Sequence, residues 1–401
     1  MYRGFTGVND SLFNLLWLLL PLAACSGWYV ARREYRKTSA PAQPQFPLEY
    51  LKGVNYLLNE QPDKAIDVFV GMLQVDNETV EIPLALGNLF RRRGEVDRAI
   101  RIHQSLIVRE NLKTEHRLMA LLELAQDYIG AGLLDRAESL CLEILDLDAR
   151  NIQALGILLD VYQQEKEWFR AIEIARKLEE STGESHTSTI AQFYCELAEV
   201  ARGQQDLAQT RRMLGRALEQ DSGCARAMIL QGNLACEAGL TEKAMAAYQQ
   251  LAEKAPQYLT EVLPAMTRCY GEAGKRRELL DYLRSLLSSH HEIDLVLTVV
   301  RLVEEYEGLE AAMDFLSHQT TRHPSIRGAE YLVSLALRVD ERCSARLRPI
   351  DTLLNKILEK KPTYRCTNCG FDAVALHWCC PSCRRWTSVL PIQEFRWGAS
   401  I

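Results

Sequence analysis

From residue 48 to residue 360 the sequence repeats one pattern: a glycine, four residues, an alanine, three residues, then an apolar or aromatic side chain. Aligned on the alanine, the units fall at Ala65, Ala99, Ala137, Ala171, Ala208 and Ala244, then at Glu278 and Ala311, in steps of 34, 38, 34, 37, 36, 34 and 33 residues. Such a period holds two helices with their turns, and one helical hairpin cannot bury its apolar faces alone. The chain is therefore committed to an all-α solenoid of stacked hairpins over 48–360, with eight units countable and helical stretches near 325–339 and 344–360 supplying a ninth. Small residues twelve positions before the alanine, at Gly53, Gly87, Ala125 and Gly232, mark close approach of two helices within a hairpin. Glycines five positions before it, Gly94, Gly132, Gly203 and Gly239, suit helix ends that turn through a left-handed residue.

This spacing resembles the tetratricopeptide repeat, and its most complete copy is LGNLFRRRGEVDRAIRIH, residues 86–103. The likeness fades after about residue 270, where Glu278 replaces the alanine. Grooves of such arrays hold peptide segments or partner helices, and the first helix of each hairpin lines them. The position after the small residue points into the groove, which nominates Asn88 and Asn233, with Arg91, Arg92 and Arg226 on the same helices. Asparagine offers a donor and an acceptor to an extended backbone, and arginine pairs with a carboxylate. A solvated surface residue is the plainer reading of each.

Residues 364–386, YRCTNCGFDAVALHWCCPSCRRW, carry Cys366-x-x-Cys369 and Cys380-x-x-Cys383. Two such knuckles bring four thiolates to one tetrahedral metal, and Gly370 frees the first turn so that amides face the sulfurs. Cys379 is a spare that could stand in for Cys380, although only Cys380 keeps the two-residue spacing; His377 is a further conceivable ligand. A four-sulfur tetrahedron suits zinc or a rubredoxin-like iron. About forty residues cannot build a sufficient core, so the metal is expected to supply the folding energy of segment 361–401.

Residues 11–30, SLFNLLWLLLPLAACSGWYV, hold no charged residue and no histidine, and as a helix would span roughly 30 Å, the thickness of a bilayer core. The run predicts a transmembrane helix, with Trp28 and Tyr29 at an interface. ARREYRK follows it, and positive flanks stay in the cytoplasm, so the rest of the chain is expected to face the cytoplasm. Leu22-Ala23-Ala24-Cys25 also has the look of a lipoprotein cleavage box, but a secretory signal carries its positive charge before the apolar run. Residues 31–47 read as a basic juxtamembrane segment and a proline-rich linker.

Net charge is −6, divided into +3 over 1–47, −13 over 48–359 and +4 over 360–401. A body that acidic argues against a general nucleic-acid binder, whose affinity comes from clustered Lys and Arg. Outside the two knuckles and Cys379 the cysteines are scattered singly through apolar or helical stretches, as core fillers in a reducing compartment. No phosphate loop or nucleophile elbow is present, and His290-His291-Glu292 lacks the second histidine of a zinc-protease helix, so an enzyme is disfavoured.

The apolar start ending LLLPLAACSGWYVARR, the repeat body and the closing YRCTNCG…HWCCPSCRRW together resemble the LapB (YciM) family of bacterial inner-membrane lipopolysaccharide assembly proteins. The resemblance implies a non-enzymatic cytoplasmic adaptor, anchored in the inner membrane. Its implied partners are the protease FtsH, the lipid A pathway deacetylase LpxC, whose degradation it promotes, and other lipopolysaccharide assembly membrane proteins. It also implies that Cys366, Cys369, Cys380 and Cys383 are ligands of a rubredoxin-like ribbon that packs back on the repeats. The competing readings are a rubredoxin-like iron electron-transfer protein and a tethered peptide-binding scaffold for another client. Residues 1–10 and Cys379 carry no readable role.

Overall fold

The computed structural model describes residues 26–29, 48–59, 61–75, 80–109, 112–339, 341–359 and 362–392. Most of the apolar run 11–30 lies outside them, and among the described residues no helix is long and apolar enough to cross a membrane. The helices form two compact units.

The first unit holds α1 (Leu48–Leu58), α2 (Pro62–Val75), α3 (Glu81–Arg92), α4 (Val96–Ile107) and α5 (Thr114–Gly130). α1 and α2 pair closely because Gly53 has no side chain: a Cβ there would stand 2.6 Å from Phe69 Cζ. Gly87 and His103 repeat the arrangement between α3 and α4, with the imidazole where the previous hairpin has a phenyl ring. Phe69, Ile82, Leu86 and Phe90 form the core here, and Leu106 with Val80 and Ala120 seals α4 against the next helix.

The second unit begins with α6 (Leu134–Leu147), α7 (Ile152–Glu165), α8 (Trp168–Thr182), α9 (Thr187–Gly203) and α10 (Leu207–Gln220). It continues through α11 (Ala225–Glu237), α12 (Thr241–Lys254), a 3-10 turn (Pro256–Tyr258), α13 (Leu259–Glu272) and α14 (Arg276–Leu286). α15 (Ile293–Glu307), α16 (Leu309–Arg322), α17 (Ile326–Val339) and α18 (Glu341–Leu358) complete the helices. Tyr248 lies over Gly232 as Phe69 lies over Gly53, and a continuous core runs from Ala225 to Leu335.

Six of the turns inside the hairpins share one geometry, and it corrects the alignment read from the sequence; at Gly308 the turn differs, with φ 96°, and the buried residue that follows is Ala312 rather than Ala311. A left-handed residue stands five positions before a buried one at Gly94 and Ala99, Gly132 and Ala137, and Lys166 and Ala171, then at Gln205 and Thr210, Gly239 and Ala244, and Gly274 and Leu279. In each the next amide reaches back five residues, as Glu95 N–H does to the Phe90 carbonyl and Lys275 N–H to Tyr270, closing the helix end with a Schellman bond. Ala208 and Glu278 are exposed, so the true register positions are Thr210 and Leu279. Gly203 ends α9 in helical conformation and Gln205 makes the turn, at φ 62°. The chain meets the geometric demand even where the best-suited residue type is displaced, at about 1 kcal/mol per non-glycine turn.

After α18 come three short strands, β1 (Tyr364–Cys366), β2 (Asp372–Ala373) and β3 (Val389–Pro391), in an antiparallel sheet of order β2-β1-β3. Tyr364 faces Ala373 on one side and Pro391 on the other. The fold is thus a tetratricopeptide-like helical solenoid with a small C-terminal ribbon.

Candidate metal centre and groove

Two knuckles of one design build the metal centre. Cys366 N–H donates to Phe371 O and Gly370 N–H to Cys366 O; Cys380 N–H donates to Arg385 O and Arg384 N–H to Cys380 O. Both turns need a left-handed residue four positions after the first cysteine. Gly370 supplies it at φ 77°, and in the second knuckle Arg384 does so at φ 57°.

The four Sγ atoms of Cys366, Cys369, Cys380 and Cys383 all lie within 4.8 Å of one another, with Cys366 to Cys383 and Cys369 to Cys380 each 3.7 Å. A tetrahedron with metal–sulfur bonds of about 2.3 Å has an edge of about 3.8 Å, so the thiols stand where a tetrathiolate metal requires them. Ser388 Oγ, 3.3 Å from Cys366 Sγ, and the amides of Cys369 and Asn368 pull that thiol down to about 6. The Asn368 side chain, then the amide of Arg385, lower Cys383. Amide N–H groups aimed at Cys366 and Cys383 favour their thiolates, the form a metal binds, while burial raises Cys380 to about 11. These four residues hold one metal ion, and the donor set suits zinc or iron. Closed four-sulfur coordination leaves no position for substrate.

Cys379 stands apart: its thiol donates to the Arg384 carbonyl at 3.3 Å, and burial raises it. His377 instead packs edge-on to Phe371 at 6.4 Å. Cys141, Cys195, Cys224, Cys236 and Cys269 are free thiols buried in the helical core.

The ribbon is seated on the solenoid of the second unit. Trp386 meets Trp168 edge-on at 6.2 Å and Phe193 at 5.8 Å, and its indole N–H donates to Gln163 Oε1 at 2.7 Å. Trp378 packs on Tyr258 at 5.2 Å, and the Tyr364 hydroxyl donates to Glu261. Burial raises Asp160, and Arg384 partly offsets it. Asp160, Gln163, Phe193 and Glu261 lie on α7, α9 and α13, each the first helix of its hairpin, so within the second unit the ribbon covers part of the face nominated above as a groove.

The nominated groove residues divide. Arg226 is 4% exposed and pairs with Glu196 at 2.8 Å and Glu199 at 2.9 Å on α9. Asn233 accepts from the Tyr248 hydroxyl at 2.8 Å. In the first unit Arg91 is tied to Glu123 at 2.7 Å and Asp127 at 2.8 Å. Arg92 is exposed, and Asn88 Oδ1 is buried without a partner among the described residues. Arg91, Arg226 and Asn233 thus bind their own solenoid.

Sequence reasoning missed the fully buried carboxylate of Asp127, which accepts from Arg91 and lies 2.5 Å from His103 Nδ1. It also missed the aromatic seat of the ribbon. The signal was present in part: Trp378 and Trp386 flank the second knuckle, where a thirty-residue ribbon has no room to bury them.

Comparison with known proteins agrees with this geometry. Residues 364–391 match the model of a rubredoxin metal binding domain, and residues 84–117 and 195–258 match tetratricopeptide repeat models. Lipopolysaccharide assembly protein B of Escherichia coli (strain K12) is 38% identical over 384 residues, 95% of this chain and 99% of that protein. The protein of the same name from Haemophilus influenzae is 36% identical over 96% of this chain and 99% of its own length. Among solved structures, a tetratricopeptide repeat protein from Parabacteroides merdae aligns over 72% of this chain and 97% of its own, at 12% identity and TM-score 0.35, too remote to bear on function. By its extended identity to these relatives, the chain belongs to the lipopolysaccharide assembly protein B family.

Proposed function

We propose that this chain is a non-enzymatic adaptor in lipopolysaccharide assembly, anchored in the bacterial inner membrane through residues 11–30 with its solenoid and ribbon in the cytoplasm. It delivers the deacetylase LpxC to the protease FtsH and so restrains lipid A synthesis. The observation that carries this reading is identity of 38% with lipopolysaccharide assembly protein B of Escherichia coli along 95% of the chain, ribbon included. The uncharged apolar run and the ARREYRK that follows it support the anchor and its orientation.

Within this reading the metal is structural. It orders the ribbon, and the four thiolates that hold it, Cys366, Cys369, Cys380 and Cys383, exclude substrate from it. Tethering confines the solenoid to the neighbourhood of membrane partners, which raises effective concentration without any new contact. Other lipopolysaccharide assembly membrane proteins would be held by the same confinement.

The test is LpxC turnover in cells whose own copy is replaced, at native expression, by a form lacking residues 1–37. The reading expects LpxC to persist well beyond its normal lifetime. Wild-type turnover by the soluble form would sink the tethered mechanism.

A further inference from the structure

The two tryptophans that seat the ribbon belong to the loop that holds the metal. Trp378 stands two residues before Cys380 and Trp386 three residues after Cys383. Thr387 N–H donates to the Trp378 carbonyl at 2.7 Å, and Cys379 pairs with Trp386 across a β-bridge. The second knuckle is therefore the turn of a small hairpin whose two arms carry the docking side chains. The ribbon's own core is little more than Cys366, Cys380 and Val389, with Tyr364 and Phe371 against them. Such a core cannot hold that hairpin in shape without metal. On the other side of the contact, Gln163, Phe193 and Glu261 come from α7, α9 and α13, the face such repeats offer to a peptide.

We propose that the ribbon is a metal-gated plug: metal on the four cysteines holds Trp378 and Trp386 in the groove of α7–α13, and loss of the metal uncovers that groove. Because metal binding and docking share one loop they are thermodynamically linked, so weakening the seat weakens metal affinity. Gln163, separated by 223 positions from the indole it holds, is then a determinant of metal affinity. The inference goes beyond the adaptor reading and stands whichever client the protein serves.

The test uses the full chain in detergent, loaded with zinc. It reads the equilibrium partition of zinc between the protein and a chromogenic chelator, and hydrogen exchange in peptides from α7, α9 and α13. Trp386→Ala is expected to weaken zinc affinity about tenfold, within the ordinary range of coupling between sites, and Gln163→Leu, which removes a single hydrogen bond, about threefold. In the unaltered chain, zinc removal should raise exchange along the groove and zinc return should lower it. Zinc affinity of Gln163→Leu equal to that of the wild type overturns the linkage, and groove exchange indifferent to zinc overturns the plug. Should Trp386→Ala fail to fold its ribbon, Gln163→Leu keeps the test intact, since its side chain lies outside the ribbon.

Discussion

Replacing Asp127 by Asn changes one oxygen to nitrogen in the interior of the first unit, and the structure says what that costs. The carboxylate is fully buried, accepts from Arg91 Nη1 at 2.8 Å and lies 2.5 Å from His103 Nδ1. His103 is equally buried, and its Nε2 has no partner among the described residues. In the variant, an Asn amide oxygen turned to Arg91 leaves its NH₂ group facing His103 Nδ1. The imidazole must then move its proton to Nε2, where nothing receives it. One charge-assisted bond is weakened and one buried donor is orphaned, each about 1.5 kcal/mol or more, so the loss should be about 3 kcal/mol. Glu123→Gln removes only the charge of Arg91's other partner, at a site where both side chains keep solvent contact, and should cost under about 1 kcal/mol. Hydrogen exchange of α3, α4 and α5 amides, followed alongside urea unfolding, separates the two. Equal losses for both variants, or a loss under about 1 kcal/mol for Asp127→Asn, would refute the argument that burial sets the value of this network.

Metal content by elemental analysis should stay at about one ion per chain in Cys379→Ser and fall sharply in Cys383→Ser, because only the latter belongs to the tetrahedron; metal loss in both would return Cys379 to the ligand set. Burial raises Glu261 above the usual carboxylate range, with the Tyr364 bond lowering it in part. An acid raised in the folded state destabilises that state when ionised, fully above the folded pKa and not at all below the ordinary value near 4.5. Glu261→Gln should therefore protect the ribbon from proteolysis at neutral pH, with the advantage shrinking as pH falls through that window; a benefit growing toward acid would contradict the sign. Gly232→Ala gains about 1 kcal/mol of helix propensity but drives a methyl group into the buried Tyr248 ring, costing about 1–3 kcal/mol, so thermal melting should show a net loss. A stabilised variant would mean that the helices have room to part.

The repeat was legible because close approach leaves a mark on single residues: Gly53, Gly87 and Gly232 have an aromatic ring where a Cβ would be. It blurred where another residue type met the same demand. Gln205 takes a left-handed turn usually given to glycine, and Thr210 and Leu279 occupy positions held elsewhere by alanine, so the visible Ala208 and Glu278 misled the alignment. The four thiolates were legible because their spacing is local. Arg91 and Arg226 were read as groove cations since pattern fixes a residue's face but not its partner. Their partners lie about one repeat away, Glu123 and Asp127 after the first, Glu196 and Glu199 before the second. The ribbon seat joins Gln163 to Trp386, and no local pattern connects residues so far apart.

The central claim is that the metal organises an adaptor, and co-purification from solubilised membranes tests it most directly. Intact protein and a Cys366→Ser/Cys369→Ser form, matched for expression and helical content, would be captured and their companions identified. The account predicts FtsH and LpxC with the intact chain and their loss from the metal-free form. Recovery of both partners by both forms would contradict the role given to the metal, and absence of both from the intact chain would contradict the adaptor itself.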